Sequence, residues 1–218
     1  MSSCTTEKSR VIVNHIGDRG KIFSGDLSGK LKIKELQKIN KTLYGLGPVA
    51  QLNGEITVIG KPYVSFIEKE EEIIRQDWDT EAIFFVYSYV DKWKEIILNE
   101  SFKDRGALEA RLEPMLQAEN YNSKNIPLMI IGRAESLTYH LMNKINNQPH
   151  SKLEHQKAKY MINLENQTAR FLAFYSAEND PSFTHGKFHI HLVSDDEAHS
   201  GHLDSFRELE VQKVLLPE

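Results

Sequence analysis

A segment near the end of the chain, residues 188–202, places histidines in a strand-forming context. Its sequence, FHIHLVSDDEAHSGH, is apolar and β-branched around His189 and His191, which is typical of a strand. Side chains two residues apart on a strand share a face, so both imidazoles are expected to point together. His202 follows after a polar turn. Three imidazoles with a fourth position left open is the arrangement that holds a catalytic zinc ion.

A purely structural interpretation of the same residues has to be weighed against the metal site. A lone histidine on a strand is more often a core or surface residue than a ligand. The chain has nine histidines, yet five of them (His185, His189, His191, His199 and His202) fall within this one segment and the residues just before it. That clustering favours the metal site.

Composition places the chain among ordinary globular proteins. It has 218 residues, 40% hydrophobic and 27% charged, which is enough for a substantial core. The net charge of −4 has no basic block behind it, so no nucleic acid partner is expected. Cys4 is the only cysteine, and neither a signal peptide nor an apolar run of membrane-spanning length occurs. We therefore expect a cytoplasmic protein without a membrane partner.

Many strand patterns and few helical ones predict an α+β or mixed α/β fold with strand-rich sheets. Residues 1–9 are polar and predicted to be a disordered tail, and residues 10–218 to form one domain of one or two closely packed subdomains. Helices are predicted over 31–39 and 101–119, and strands over 11–16, 82–89, 127–133, 160–164, 171–176, 188–193 and 206–216. Residues 68–79 fit a short helix or a solvated connector, and residues 144–156 fit a loop.

Glu55 and Arg133 are the candidates for the chemistry beside a metal. Asn53-Gly54 lies between two apolar runs, which predicts a hairpin with Glu55 at the start of its second strand. A carboxylate there could move a proton, although a solvent-facing role is more common for a single glutamate. Arg133 ends a predicted strand and could bind a substrate carboxylate through its guanidinium, or simply lie on the surface.

Two separated blocks of the sequence resemble the acetolactate decarboxylase family. YGLGPVAQLNGEITVIGKPY, at residues 44–63, resembles the family's FGLGTF-x-LDGE segment, and GDLSGKLKIKELQKI before it resembles the family's lead-in. FHIHLVSDDEAHSGH resembles the family's metal segment, YHLHF-x-DD/ED-x-x-x-GGH, with the same spacing between the histidines. ARFLAFYSAENDPSFTHGK, just before it, is similar to the family's GTIVGFWTPEY stretch.

The resemblance implies a zinc-dependent decarboxylase that converts 2-acetolactate to acetoin and carbon dioxide, and a homodimer. It implies that zinc is held by His189, His191 and His202 and that Glu55 is catalytic. It also implies a catalytic arginine from a mid-chain strand, for which Arg133 is the best match, although the residues after it differ from the family's R-T-V-P pattern. The substrate would be a small hydroxy-keto acid, and no organic cofactor is needed.

Three functions remain open on the sequence alone: the decarboxylase, a zinc hydrolase on the same scaffold, and a non-catalytic metal-binding or small-molecule-binding protein. The resemblance also implies a C-terminal tail that brings a further carboxylate over the metal. This sequence ends at Glu218. We therefore expect either that Glu218 folds back towards the metal or that the site stays more open to water.

Overall fold

The structure is a computed structural model that describes residues 11–119, 121–144, 151–181 and 186–218. The tail expected at residues 1–9 lies outside the described residues. In chain order the elements are β1 (Val13–Ile16), α1 (Arg19–Phe23), β2 (Leu31–Lys32), a 3₁₀ helix (Ile33–Leu36), β3 (Leu43–Pro48), a second 3₁₀ helix (Ala50–Leu52), β4 (Glu55–Ile59), β5 (Lys61–Glu68), β6 (Glu71–Arg75), β7 (Glu81–Ala82), β8 (Phe85–Tyr89), β9 (Trp93–Phe102), α2 (Arg105–Ala118), β10 (Asn125–Met142), α3 (Lys152–Lys157), β11 (Lys159–Ser176), β12 (Phe188–Ser194) and β13 (Ser200–Pro217).

Two larger antiparallel sheets organise these strands. The first has the order β1-β8-β3-β4-β5-β6, and β2 and β7 form a separate two-stranded pair. The second has the order β10-β11-β12-β13-β9, and β13 also pairs with β10, so that β10, β11, β12 and β13 form a closed circuit of hydrogen-bonded neighbours. The strand-rich α+β expectation is confirmed, and every pairing between the described strands is antiparallel.

Alternation along β4 decides which of its residues face the second sheet. Ile56 and Val58 are buried in an apolar cluster with Ile33 and Leu36 of the first 3₁₀ helix. Glu55 and Thr57 have the opposite orientation, because successive strand residues point to opposite faces. Thr57 contacts a side chain of β12 across the two sheets. Strand β4 therefore carries polar side chains into the space between the sheets.

The predicted hairpin around Asn53-Gly54 is confirmed, but its connection is longer than a two-residue turn. Strands β3 and β4 pair from Tyr44 opposite Ile59 to Pro48 opposite Glu55, so six residues join them. Gly54 has a φ of +117°, and a Cβ atom there would lie 2.2 Å from the Ser65 carbonyl oxygen. Only glycine fits between the turn and the neighbouring strand β5, and this close packing fixes where Glu55 begins its strand.

Helix α2 confirms the helix predicted over 101–119. Asp104 caps its first turn, accepting a hydrogen bond from the Ala107 N–H at 2.8 Å. Leu108, Leu112 and Leu116 are buried at intervals of four residues against the closed sheet. The helix continues through Pro114.

Several other predicted elements differ from the structure because pairing between distant segments overrides local pattern. The helix predicted over 31–39 is wrong: it is reduced to β2 and one 3₁₀ turn, which bond to residues 78–82, and Ile39 is 91% exposed. The segment 68–79 is not a helix: residues 68–75 belong to a hairpin of β5 and β6, and residues 76–79 connect β6 to β7. The strand predicted over 82–89 is interrupted between β7 and β8.

The second half of the chain has longer strands than the sequence predicts. Strand β10 continues nine residues beyond Arg133, and the strands predicted at 160–164 and 171–176 are one strand, β11. Pairing with a long neighbour on either side supplies the hydrogen bonds that make such polar strand segments stable. In the predicted loop at 144–156, residues 145–150 lie outside the described residues, and α3 occupies most of the remainder.

The packing of α2 predicts the cost of removing one of its leucines. Leu112 is fully buried, so Leu112→Ala should lower the free energy of unfolding by about 2–5 kcal/mol, through lost apolar burial and the cavity left behind. Gln117→Ala, on the exposed face of the same helix, should change it by less than about 0.5 kcal/mol. Urea denaturation of both variants measures this, and equal effects would contradict the packing described for α2.

Candidate metal centre

Strands β12 and β13 bring His189, His191 and His202 together. His189 and His191 share one face of β12, and His191 lies directly opposite His202 in the antiparallel pair. The ring centroids are 5.3 Å apart for His189 and His191, 4.9 Å for His189 and His202, and 5.3 Å for His191 and His202. One nitrogen from each ring lies within 4.8 Å of the other two. Three ligands at this separation can hold one metal ion.

The turn between the two strands sets that register. The Ser194 N–H donates to the His199 carbonyl oxygen at 2.9 Å, and the His199 N–H donates to Ser194 Oγ at 2.9 Å. Asp196 accepts from Ser194 Oγ at 2.6 Å and from the Ala198 N–H at 3.1 Å. Asp196 thus stabilises the turn.

His191 is the most deeply buried of the three imidazoles. Its Nδ1 lies 3.0 Å from Thr57 Oγ1, and Ser200 Oγ donates to that same hydroxyl at 3.1 Å. Its Nε2 is buried and has no hydrogen-bond partner within the described part of the chain, where Glu55 Oε2 is 3.8 Å away. A buried polar atom without a partner is costly, and a metal ion would satisfy this one. Thr57 fixes the ring orientation, as the outer partners of metal ligands do.

Burial also sets the protonation of two of these imidazoles, those of His191 and His202. It is the largest cause that holds the pKa of His191 well below its ordinary value, followed by charge repulsion from His189 and His140. The pKa of His202 lies well below its ordinary value for the same reasons. Neutral imidazoles offer lone pairs to a cation, so the donors present fit a divalent metal of the zinc class.

Glu55 lies beside the three histidines, on the facing sheet. It is 4% exposed, and burial is the main cause that raises its pKa to about 8, with a smaller increase from Asp204 opposed by the charge of Lys159. The carboxyl group is therefore protonated at neutral pH in the metal-free protein. A neutral carboxylic acid can donate a proton, and a metal cation nearby would favour its ionisation.

Arg133 lies elsewhere, and the structure does not bring it to the histidines. It is exposed on β10, its Nη2 donates to Asn166 Oδ1 at 3.1 Å, and its neighbours at a separate surface hollow include Glu208 and Glu210. Strand β10 does not end at Arg133 but continues to the site at His140, seven residues away. Arg133 is expected at the site only because the apolar residues of the strand stop there. The strand itself continues, so Arg133 lies in its middle and does not reach the histidines.

Sequence reasoning missed a fourth histidine at the site, His140. It pairs with His202 across β10 and β13, and the two ring centroids are 4.6 Å apart. Its Nδ1 lies 2.5 Å from Asp204 Oδ2, and Lys159 Nζ donates to Asp204 Oδ1 at 3.3 Å. Burial lowers the pKa of His140 against the opposing effect of Asp204. No local signal marks this residue, because only the pairing of β10 with β13 brings it in.

A cavity of about 700 Å³ adjoins the histidines. His189, His202, His140 and Glu55 line one part of it, and α1, Phe84 and α3 line another. Glu218 does not line the cavity. It is exposed beyond the far end of β13, where its N–H donates to the Lys92 carbonyl oxygen at 3.1 Å. Of the two arrangements expected for the C-terminus, the structure therefore has the one in which Glu218 stays away from the site.

The family profile described as alpha-acetolactate decarboxylase matches residues 16–215 of the sequence. This chain belongs to the alpha-acetolactate decarboxylase family. Family membership makes it a carboxy-lyase, an enzyme that cleaves carbon–carbon bonds. No curated protein matches the sequence. None of the helices in the described residues has the length and apolar character needed to cross a membrane.

Solved structures of decarboxylases from this family share the fold. Alpha-acetolactate decarboxylase from Bacillus subtilis strain 168 is 16% identical, with a TM-score of 0.74 over 96% of this chain and 86% of that chain. Acetolactate decarboxylase from B. subtilis subspecies spizizenii is 15% identical, with a TM-score of 0.75 and the same two coverages. A Staphylococcus aureus protein of unknown function, similar to alpha-acetolactate decarboxylase, is 17% identical, with a TM-score of 0.73 over 94% and 84%.

The three imidazoles predict how metal binding responds to mutation. His191→Ala should lower zinc affinity by more than about 100-fold, because loss of an outer partner alone typically costs 10–100-fold. His15→Ala, which changes a cavity histidine outside the cluster, should leave zinc binding unchanged. Zinc titration against a competing chelator measures both affinities. An unchanged zinc affinity in His191→Ala would show that His191 is not a ligand and would contradict the proposed site.

The raised pKa of Glu55 predicts a pH-dependent stability in the metal-free protein. The unfolded chain ionises Glu55 near its ordinary pKa of 4.5, but the native chain does so only near 8, so the free energy of unfolding falls as pH rises between them. Glu55→Gln abolishes this fall and should be more stable than wild type by roughly 1–4 kcal/mol at pH 8, with no such gain at pH 4. Urea denaturation with a chelator present measures it. The same pH slope in both proteins would show that Glu55 is not buried as described.

Proposed function

We propose that this chain is a zinc-dependent decarboxylase that converts 2-acetolactate to acetoin and carbon dioxide. The observation that carries the proposal is the cluster of three imidazoles with a buried glutamate 3.8 Å from one of them, beside one cavity. Membership in the acetolactate decarboxylase family supports it. His189, His191 and His202 would hold the metal. A bound zinc ion supplies Lewis acidity for oxygen atoms that gain negative charge.

Loss of carbon dioxide from this substrate needs an electron sink and a proton donor. Cleavage of the bond to the carboxylate leaves an electron pair, which the neighbouring ketone of a 2-hydroxy-3-oxo acid accepts to give an enediolate. The substrate carries its own sink, so no organic cofactor is required. The carbon that has lost carbon dioxide must then gain one proton to give acetoin.

In this proposal Glu55 delivers that proton. Its carboxyl group is buried, and in the metal-free protein this burial raises its pKa to about 8, which favours the protonated state that a general acid needs. After each turnover the carboxylate would regain a proton from solvent through the cavity.

The role of Thr57 and Ser200 is to position rather than to react. Their hydroxyl groups form a buried chain that ends on His191 Nδ1. Holding that nitrogen leaves Nε2 directed at the metal position and fixes the ring. His140 on the adjacent strand packs its ring against that of His202, with centroids 4.6 Å apart, and Asp204 holds His140 through its Nδ1.

The decisive assay is release of carbon dioxide from 2-acetolactate by the zinc-loaded protein. Glu55→Gln should retain zinc but lower kcat by about 10²–10⁴-fold, since it removes an acid–base group. Glu68→Gln, a matched change at the exposed end of β5, should leave kcat unchanged.

Three results would contradict this proposal in different ways. Hydrolysis of ester or amide substrates without carbon dioxide release would indicate the zinc hydrolase. Zinc binding without turnover of any of these substrates would indicate a binding protein. A normal kcat in Glu55→Gln would leave the reaction standing but remove Glu55 from it.

A further inference from the structure

With Arg133 outside the cavity, the cation that recognises the substrate's carboxylate has to be sought elsewhere. Arg19 is the arginine that lines the cavity. It is the first residue of α1, which begins after Gly17, a residue with a φ of +82°, and is capped by Asp18 through the Gly20 N–H at 2.8 Å. The Arg19 guanidinium carbon lies 5.8 Å from the centre of the Phe84 ring, which also lines the cavity.

Arg19 differs from most arginines of the chain in having no carboxylate partner. Those at positions 75, 105, 111, 170 and 207 each pair with a glutamate. Among the described residues no carboxylate lies within ion-pair distance of Arg19, whose Nη1 reaches only the Pro181 carbonyl oxygen at 3.5 Å. Pro181 lines the same cavity. Most N–H donors of the guanidinium are therefore available to a ligand that enters the cavity.

The Arg19 guanidinium is partly buried, so water solvates its charge less well than that of a surface arginine. Burial is the cause that lowers the pKa of Arg19 from its ordinary value, yet a guanidinium remains charged throughout the physiological range. A desolvated cation is unfavourable until an anion compensates it. A carboxylate is the best geometric match, because it accepts two parallel hydrogen bonds from the guanidinium.

The other charged groups at the cavity differ from Arg19 in pairing, exposure or protonation. Lys159 pairs with Asp204, and Lys152 is exposed on α3. Asp18 caps α1, and Glu55 is protonated at neutral pH in the metal-free protein. The cavity thus combines one partly buried cation without a carboxylate partner with two of the three clustered imidazoles, those of His189 and His202.

We propose that Arg19 is the specificity-determining residue of this site and that it binds the carboxylate of the substrate acid while the rest of that acid faces the three histidines. This assignment rests on the proposed function, because it takes the histidine cavity to be the substrate site. It makes the enzyme selective for acids over neutral hydroxy-ketones, including its own product, which carries no carboxylate. Product would then leave without having to break the contact that held the substrate.

The test is binding of an acid and of its neutral amide to the zinc-loaded protein. The probes are 2-hydroxy-2-methylpropanoate and 2-hydroxy-2-methylpropanamide, which differ in charge but hardly in shape. Neither has a ketone, so neither can lose carbon dioxide, and binding is measured without turnover by NMR titration. Arg19→Gln should weaken binding of the acid by about 10- to 100-fold and leave binding of the amide unchanged. Arg19→Lys should retain part of the affinity for the acid, because it keeps the charge but loses the bidentate contact.

Arg133→Gln is the matched control and should bind both probes as wild type does. Equal weakening of acid and amide in Arg19→Gln, with zinc still bound, would show that Arg19 only shapes the wall and would overturn the assignment. Loss of acid binding in Arg133→Gln, or no acid binding by wild type, would overturn it too. Acid binding that depends on Arg19, in a protein that releases no carbon dioxide from 2-acetolactate, would support the assignment and contradict the decarboxylase proposal instead.

Discussion

The antiparallel pairing of His191 with His202 is the constraint on which the site depends. The pairing requires β13 to lie close against both β12 and β10, and Gly201 makes this possible. A Cβ atom at Gly201 would lie 2.7 Å from the Tyr139 ring and 2.9 Å from the His140 carbonyl oxygen. A larger residue would force β13 away from β10 and move His202 with it. The three histidines that could hold a metal are thus positioned by the closure of the second sheet, which suits a site that needs fixed geometry.

Desolvation between the two sheets determines the chemistry of the groups placed there. Desolvation lowers the pKa of His191 and His202 and raises that of Glu55. In the metal-free protein the two imidazoles and the carboxyl group are therefore all uncharged at neutral pH. The same burial therefore prepares ligands for a cation and a proton donor for the reaction. The first sheet contributes through β4, whose alternation directs Glu55 and Thr57 across to β12. Neither sheet could form this site alone.

The sequence predicts the parts of this site that depend on short-range pattern. Alternation places His189 and His191 on one face, and the polar turn returns the chain so that His202 meets them. The strand start at Glu55 follows from the turn residues before it. Short-range pattern does not predict where Arg133, Arg19 and His140 lie. Their positions depend on contacts between segments that are far apart in the chain. Arg133 seemed to end a strand only because the apolar residues stop there, whereas β10 continues through polar residues that β11 and β13 hold in register.

The proposed metal site requires that three imidazoles, and no fourth, bind the ion. X-ray absorption spectroscopy of the zinc-loaded chain tests it directly, because the fine structure counts nitrogen neighbours and recognises the outer atoms of imidazole rings. We expect three imidazole nitrogens at about 2.0–2.1 Å from the zinc ion, with any remaining ligand a light atom such as oxygen. A fit that requires a fourth imidazole, which would bring in His140, or fewer than three would contradict it.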